Sequence, residues 1–345
     1  MKPIKATIIG CGARGNDHCA AYGQIDGAKP VACFDPDAGR RDGFAKKYGI
    51  RAYASAEEMI EKESPDIVHV TTYPDVRLEL MTLVSKLGVP LCVTEKPLAT
   101  GVRDWRRLCE LEASSRTKFA VSHQFRWHKD LARCREALRS GTLGRLLFLD
   151  MSARMNISAQ GTHTLDYGMS FNGDAPVSVV FGKASGWDKQ DDRHPAPLAS
   201  EAMLMFENGA RALWTTGPVS PRAGDPEVVW QHVRIAAYAE KGRVNYEEFG
   251  KWEIVSGDTM KAGDFGGMVE WKKNNVAAQA AFHTAMFEWL KDDSKAPGTN
   301  LKQSLHEWAV VLALYQSSLE GRPVEMKGFN PPDNLVELYK AKGNA

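Results

Sequence analysis

The sequence has almost no excess of charge of either sign, which excludes whole classes of partner. Its 345 residues carry 44 Lys and Arg against 43 Asp and Glu. A nearly neutral chain has no strong electrostatic field to attract nucleic acid or an anionic membrane surface. We therefore expect no nucleic-acid partner, no membrane partner and a small-molecule ligand.

Long apolar runs are also missing. No stretch reaches the roughly 18 uninterrupted apolar residues that indicate a membrane-spanning helix. Residues 1–10 contain two lysines and lack both the apolar segment and the cleavage site of a secretory signal. These absences predict a cytoplasmic protein.

Cysteine pairs and metal-ligand spacings are absent as well. All six cysteines lie within the first 134 residues, and none belongs to a C-x-x-C pair. Buried, reduced thiols are the better interpretation of these cysteines. The histidines and acidic residues show no H-x-E-x-H or similar spacing, so no metal site is predicted.

The length of the chain predicts two domains, because single cores stop growing at about 250–300 residues. Up to residue 123, short apolar runs alternate with amphipathic stretches, as in a parallel sheet with crossover helices. Ser55 and Glu58 form a capping-box pattern that predicts a helix start. The predicted strands are residues 4–10, 30–35, 66–72, 90–95 and 118–123.

After residue 123 the pattern changes to alternating strands joined by Gly-containing turns at residues 207–209 and 240–242. Helices are predicted at residues 129–141, 163–171, 279–291 and 304–321. The predicted fold class is α/β. A doubly wound, parallel Rossmann sheet occupies residues 1–123, and an α+β domain with a large open, mostly antiparallel sheet occupies residues 124–345. The last helices are candidates for packing back on the first domain.

Three glycines follow the first predicted strand in a G-x-G-x-x-G pattern. Gly10 permits a tight turn, Gly12 lets the backbone approach a pyrophosphate, and Gly15 lets helix and strand pack closely. The start of the helix then offers free N–H groups to the phosphates. A strand before the glycines and a helix after them make this a dinucleotide-binding pattern.

Asp35 ends the second predicted strand, 20 residues beyond Gly15. A carboxylate here binds the adenosine ribose hydroxyls and repels the 2'-phosphate of NADP. NAD is therefore the predicted cofactor and NADP the less favoured one. In the alternative interpretation, Arg40 or Arg41 binds the 2'-phosphate of NADP. The preferred interpretation places both arginines on the solvated face of the next helix.

Glu95, Lys96 and Pro97 follow the strand at residues 90–95, at the sheet edge where ligands of open α/β folds bind. Pro97 restricts Lys96 to an extended backbone and allows a cis peptide bond. Such a turn can direct an ammonium group into a cleft. From this tripeptide alone, a surface lysine paired with a carboxylate is the simpler interpretation.

In this order of motifs the chain resembles the Gfo/Idh/MocA oxidoreductases, which act on sugars and cyclitols. The shared features are GCGARG at residues 10–15, Asp35, Pro74, EKP at residues 95–97, H-x-x-D from His163 to Asp166, the NG turn at 208–209 and SSLEGRPVEM at 317–326. The resemblance covers nearly the whole chain. It implies NAD(P)-linked oxidation of a hydroxyl group, and a homodimer or homotetramer formed through the C-terminal sheet.

The resemblance also implies roles for single residues. Lys96 would bind the reacting hydroxyl and favour its deprotonation, His163 would take or relay the proton, and Asp166 could orient His163 or be a plain helix contact. The implied cofactor-binding residues are Gly10, Gly12, Ala13, Arg14, Gly15, Asp35, Thr72, Pro74, Glu95 and Lys96. The implied substrate-binding residues are Lys96, Gln124, Arg126, Trp127, Gln160, His163 and Asp166. For residues 123–128, a domain junction is an equal alternative.

The sequence departs from the family pattern at two positions. Many members have an aspartate four residues before the histidine, where Ala159 stands here, and a histidine where Leu78 stands. Gln160 can hydrogen-bond a sugar but cannot act as a base. Either His163 suffices, another carboxylate reaches in, or the reaction differs from simple alcohol oxidation.

The leading prediction is an NAD-dependent oxidoreductase of a carbohydrate, cyclitol or glycoside hydroxyl. One alternative is glycoside cleavage or epimerisation, in which held NAD oxidises a sugar transiently and the hydride returns. The other is a nucleotide-binding regulator that no longer catalyses. Ala159 favours the regulator, whereas Lys96 and His163 argue against it.

Overall fold

The computed structural model describes residues 3–187, 194–223 and 227–343. These residues divide into two compact units. The first contains the described residues up to Ala99, together with Asp104–Gln124 and Asn275–Leu305. The second contains Thr100–Arg103, the described residues between Phe125 and Asn274, and the chain from His306 onward. The functional division into residues 1–123 and 124–345 stays a prediction.

The first unit is built on a parallel sheet of six strands in the order β3-β2-β1-β4-β5-β6. Its strands are β1 Ile4–Ile9, β2 Ala28–Phe34, β3 Arg51–Tyr53, β4 Ile67–Val70, β5 Leu91–Thr94 and β6 Lys118–Val121. The central strands are apolar at consecutive positions because helices cover both faces of such a sheet. Every residue of β4 and of β5 is buried.

Helices connect these strands and follow them along the chain. They are α1 Ala13–Ala21, α2 Ala38–Tyr48, α3 Ala56–Glu63, α4 Arg77–Lys86 and α5 Val102–Ser114. The predicted cap at Ser55 is present, since the Ser55 side chain accepts a hydrogen bond from the backbone N–H of Glu58. Strand order and parallel pairing place the carboxyl ends of β1, β4 and β5 side by side.

The second unit is built on a sheet of nine strands in the order β14-β13-β12-β11-β7-β10-β9-β8-β15. All its pairings are antiparallel except that of β7 with β10. The strands are β7 Leu146–Ala153, β8 Val177–Ser185, β9 Ala199–Phe206, β10 Arg211–Thr216, β11 Val233–Ala239, β12 Gly242–Glu247, β13 Lys251–Ser256, β14 Thr259–Asp264 and β15 Val324–Glu325. Together the two sheets confirm the predicted fold class.

Helix α7 (Thr162–Phe171) packs on the buried face of the second sheet. It is buried at every position. Gly168 allows this approach, because a Cβ there would overlap the sulfur of Met151 on β7. Trp214 of β10 donates its indole N–H to the Thr164 hydroxyl at 2.9 Å. The remaining helices are α6 Lys129–Arg139, α8 Gly267–Lys291, α9 Leu301–Glu320 and α10 Leu335–Gly343.

Several elements differ from the sequence-based expectation, among them β3, α8 and helix α10, which was not predicted. The edge strand β3 was not predicted, because its three residues include an exposed arginine and form no apolar run. Helix α8 begins at Gly267 and not at residue 279, since its first turns are too polar to show a helical apolar period. Among the described residues, every helix lacks the combination of length and apolarity that crossing a membrane requires.

Candidate active site

The three glycines form the turn between β1 and α1 that their spacing predicts. Gly10 has a φ of +100° and lies against Thr71, whose hydroxyl donates to the Gly10 carbonyl at 2.7 Å. A Cβ at Gly15 would overlap the Gly10 carbonyl oxygen, so helix and turn can pack closely only with glycine there. A Cβ at Gly12 would meet nothing within 4 Å, which leaves its backbone open to a ligand.

The start of α1 is suited to binding a phosphate. Gly12 is the N-cap and has no side chain to satisfy the first N–H groups, and no acidic residue lies in the first turn. Ala13 and Arg14 begin the helix. Uncapped N–H groups together with the helix dipole bind anions, so the residues present fit the pyrophosphate of a dinucleotide.

Asp35 follows β2 and is 5% exposed. Its carboxylate accepts from the backbone N–H groups of Cys11 and Asp37, both at 2.9 Å. Arg40 also donates to it, at 3.2 Å, although the Arg40 side chain is 58% exposed. The carboxylate is thus fixed beside the glycine turn, where the predicted ribose contact requires it. Arg40 lies partly in solvent, as expected, but also binds Asp35.

Glu95 is buried at the end of β5 and is bound from two sides. Its Oε1 accepts from the Arg14 guanidinium at 2.9 Å and lies 2.9 Å from Nε2 of His18. Burial alone would raise the pKa of Glu95, but Arg14 and His18 hold it well below its usual range. The carboxylate is therefore ionised, and it connects the end of β5 to the first turn of α1. Lys96 comes next, half-buried, and its peptide bond to Pro97 is cis.

Arg77 is a site residue that sequence reasoning missed. It is 3% exposed and donates to the carbonyl of Thr72 at 2.6 Å and to the carbonyl of Pro97. Burial lowers the pKa of Arg77 to about 10. The guanidinium thereby joins the loops after β4 and β5, which carry the predicted cofactor residues. Pro74, also buried, opens the short 3-10 turn before Arg77.

In the second unit, Arg126 and Asp166 are brought together. Arg126 donates to Asp166 at 2.6 Å and to Asp174 at 2.6 Å, and its third nitrogen lies 3.7 Å from Glu307. Burial would lower the pKa of Arg126, but the neighbouring carboxylates raise it. Burial, with the negative charge of Asp166, raises the pKa of Glu307 well above its usual range. Asp166 itself is fully buried. Its role towards His163 stays a prediction.

The other predicted substrate residues of this unit are His163 on α7, Gln160 in the turn before it, and Trp127. His163 is 4% exposed, and its ring centroid lies 4.8 Å from that of Phe125. Gln160 belongs to a π-helical turn, Ile157–Gly161, that runs directly into α7. Its amide donates to the Trp230 carbonyl at 3.4 Å. Trp127 is half-buried in the short 3-10 turn of residues 124–127.

Two positions remain: Ala159, where the sequence departs from the family pattern, and Gln124, a predicted substrate-binding residue. Ala159, where the family aspartate is missing, is 2% exposed, and its N–H donates to the side chain of Asn156 at 2.9 Å. Gln124 belongs to the first unit, is 2% exposed and accepts from Ser122 at 3.5 Å. The structure thus places Ala159 within a capped, buried turn.

Comparisons with known proteins agree with this geometry. The model of a family described as "Oxidoreductase family, NAD-binding Rossmann fold", Gfo/Idh/MocA, matches residues 4–123. D-apiose dehydrogenase of Paraburkholderia graminis is 25% identical over 95% of this chain and 91% of its own length. Inositol 2-dehydrogenase of Leifsonia xyli is 26% identical over 59% of this chain and 62% of its own.

Among solved structures, an oxidoreductase from Agrobacterium radiobacter in complex with NAD+, L-tartaric acid and magnesium has the same fold. Its TM-score is 0.80 at 20% identity, covering 94% of this chain and 99% of that one. The class is therefore that of NAD-dependent oxidoreductases with a Rossmann domain. Within that class, residues 4–123 match the model of the Gfo/Idh/MocA family, the family that the motifs resemble.

The glycine turn gives a matched pair of variants. Gly12→Ala should fold normally, because its Cβ has open space and its φ of −79° suits alanine, yet it should weaken NAD binding at least tenfold by blocking the backbone approach. Gly15→Ala should lower the thermal midpoint, because its Cβ overlaps the Gly10 carbonyl. Calorimetric NAD titration and thermal unfolding separate the two effects. Unchanged NAD affinity in Gly12→Ala would contradict the assigned pyrophosphate position.

Arg77 gives a stability prediction. Arg77→Met removes the buried donor to two carbonyls, and each buried acceptor left unsatisfied costs about 1–3 kcal/mol. Arg77→Lys should lose less stability, since one ammonium can still donate to one of the carbonyls. Urea unfolding followed by circular dichroism measures both variants. Equal stability of Arg77→Met and wild type would show that the carbonyls find other donors.

Proposed function

We propose that the protein oxidises a hydroxyl group of a carbohydrate or cyclitol, with Lys96 as the residue that binds this hydroxyl and takes its proton. The observation that carries the proposal is the position of Lys96 directly after the ionised Glu95, which is bound to Arg14 in the first turn of α1. The lysine and the dinucleotide-binding turn are thus fixed to each other within one unit.

The chemistry divides between the cofactor and the chain. A bound NAD would supply the acceptor for the hydride from the carbon that carries the hydroxyl. The residues that would hold it are the glycine turn, the start of α1, Asp35 and the Thr72 loop. Lys96 orients the hydroxyl and accepts its proton, as general-base catalysis requires a group within hydrogen-bond reach. Arg77 holds the backbone on both sides of the site.

The substrate class is supported by the relatives, which are named D-apiose dehydrogenase and inositol 2-dehydrogenase. Their substrates carry several hydroxyl groups, which polar side chains recognise by hydrogen bonds. The substrate roles of Gln124, Arg126, Trp127, Gln160, His163 and Asp166 stay predictions. Ala159 removes one carboxylate from the family pattern, so we assign the proton transfer to Lys96 first.

Lys96→Met tests the proposal. The substitution keeps most of the apolar stem but removes the amine, so turnover should fall by at least about 100-fold, the range that a general base contributes, while NAD still binds. NADH formation at 340 nm is followed with a panel of pentoses, hexoses and inositols. Lys302→Met, at an exposed position of α9, is the control and should keep full activity.

Three outcomes would change the conclusion. An active Lys96→Met enzyme would remove Lys96 from the mechanism. Turnover of aryl glycosides by the wild type, without net NADH formation, would favour glycoside cleavage through a transient keto sugar. A wild type that binds NAD but oxidises no polyol and cleaves no glycoside would favour a regulatory role.

We further infer that two copies of the chain associate through the exposed face of the nine-stranded sheet. Three neighbouring residues there are apolar and exposed: Leu213 (38%), Met203 (51%) and Phe181 (46%). The strand register places Leu213 opposite Met203 and Met203 opposite Phe181. Contiguous apolar patches of this kind mark interaction sites on globular proteins.

The cytoplasmic location stays a prediction from the sequence.

Met203→Glu should therefore dissociate the assembly, because it places a charge at the centre of the patch. Light scattering after gel filtration measures the mass. Leu338→Glu, on helix α10 and 45% exposed, lies outside the sheet, is the control and should leave the mass unchanged. A wild type that runs as a monomer at all concentrations would refute the inference.

A further inference from the structure

Three histidines lie together in the interior of the first unit and have no part in the proposed reaction. His18 belongs to α1, His69 to β4 and His283 to α8, and each is 0% exposed. Their ring centroids are 4.6 to 5.1 Å apart. Fully buried histidines are costly unless their nitrogens are satisfied, so a cluster of three requires an explanation.

The spacing of their nitrogens suits one metal ion. One ligating atom from each histidine lies within 4.8 Å of the others. His18 Nδ1 and His283 Nε2 are 3.0 Å apart. Nitrogens bound at about 2.1 Å to a tetrahedral cation are about 3.4 Å apart. The distances between the ligating nitrogens would have to change by about 0.4 to 1.4 Å to reach this spacing, which side-chain movements can supply.

Two of the histidines already have the outer partners that orient metal ligands. Nε2 of His18 lies 2.9 Å from the Glu95 carboxylate, and Nε2 of His69 lies 2.7 Å from the Tyr22 hydroxyl. Metal-binding histidines usually hold their second ring nitrogen in this way, which fixes ring orientation and tautomer. The Glu95 charge also offsets part of the charge of a cation.

The protonation state is suitable as well. Burial lowers the pKa of His18, and lowers the pKa values of His69 and His283 well below the usual range. All three are therefore neutral near pH 7 and retain lone pairs for a metal.

Some buried atoms in the cluster lack a hydrogen-bond partner among the described residues. These are Nδ1 of His69, Nδ1 of His283 and Oε1 of Gln279. The Gln279 amide nitrogen lies 3.1 Å from His283 Nε2 and 3.4 Å from His18 Nδ1. A 180° rotation of the Gln279 amide exchanges its nitrogen and oxygen. The oxygen then faces His18 and His283, so Gln279 can add an oxygen ligand.

We propose that His18, His69 and His283, with the side-chain oxygen of Gln279, bind one divalent transition-metal cation of the zinc class. Imidazole ligands suit zinc, cobalt and nickel better than magnesium or calcium. The ion has a structural role, joining α1, β4 and α8. The sequence predicted no metal site because its ligands come from residues 18, 69 and 283, which form no short motif.

Metal uptake tests the proposal directly. Wild-type protein is unfolded in guanidinium with a chelator and refolded with or without zinc. After dialysis, its zinc content is measured by inductively coupled plasma mass spectrometry. Refolding gives the ion access to a site that is closed in the folded state. We expect one zinc per chain and a raised thermal midpoint. Refolded, cooperatively unfolding wild type without bound zinc would overturn the proposal.

Cobalt distinguishes this site from binding by cysteine thiols. Co²⁺ bound by three imidazoles and one oxygen should give visible d–d bands without the near-ultraviolet charge-transfer bands of a thiolate. His283→Phe should lose both the zinc and these bands, whereas His306→Gln, which alters a histidine of α9 in the second unit, should keep them. If His283→Phe does not fold, the wild-type cobalt spectrum decides: thiolate bands, or no visible bands, contradict the assignment.

Discussion

The nucleotide-binding unit depends on one buried carboxylate, that of Glu95. A buried charge is destabilising unless it is paired and hydrogen-bonded. Arg14 and His18 provide that pairing from two successive turns of α1. The interaction therefore fixes the end of β5, which Lys96 follows, to the helix whose start is predicted to bind the pyrophosphate. We therefore expect a change in either partner to affect both the predicted cofactor loop and Lys96, the residue proposed to accept the proton.

Much of this unit could be predicted from the sequence because its constraints are local. Gly10 and Gly15 are required by a single turn, and Asp35 lies at the end of the next strand. A parallel sheet also reveals its strands as short apolar runs. The same reasoning fails for β3, which pairs only through its backbone at a sheet edge and has no apolar signal.

What could not be predicted depends on pairs of residues far apart in the chain. Arg77 follows Pro74 in a segment that looks like an ordinary helix start, and only the structure shows it binding the carbonyls of Thr72 and Pro97. His283 lies 265 residues beyond His18, its nearest hydrogen-bonding neighbour. Periodicity predicts which face of a helix is buried, but not which polar groups meet inside.

The charged groups around Arg126 limit the roles that its guanidinium can have. Two of its guanidinium nitrogens already donate to Asp166 and Asp174, while Arg139 also binds Asp174. Burial and the negative charge of Asp166 raise the pKa of Glu307, while the two arginines pair with the two aspartates. The guanidinium is 3% exposed, and its third nitrogen, Nη2, has no hydrogen-bond partner among the described residues. Two of its nitrogens thus hold the buried charges of Asp166, on α7 three residues after His163, and of Asp174, whereas the third keeps the donor that the predicted substrate contact requires.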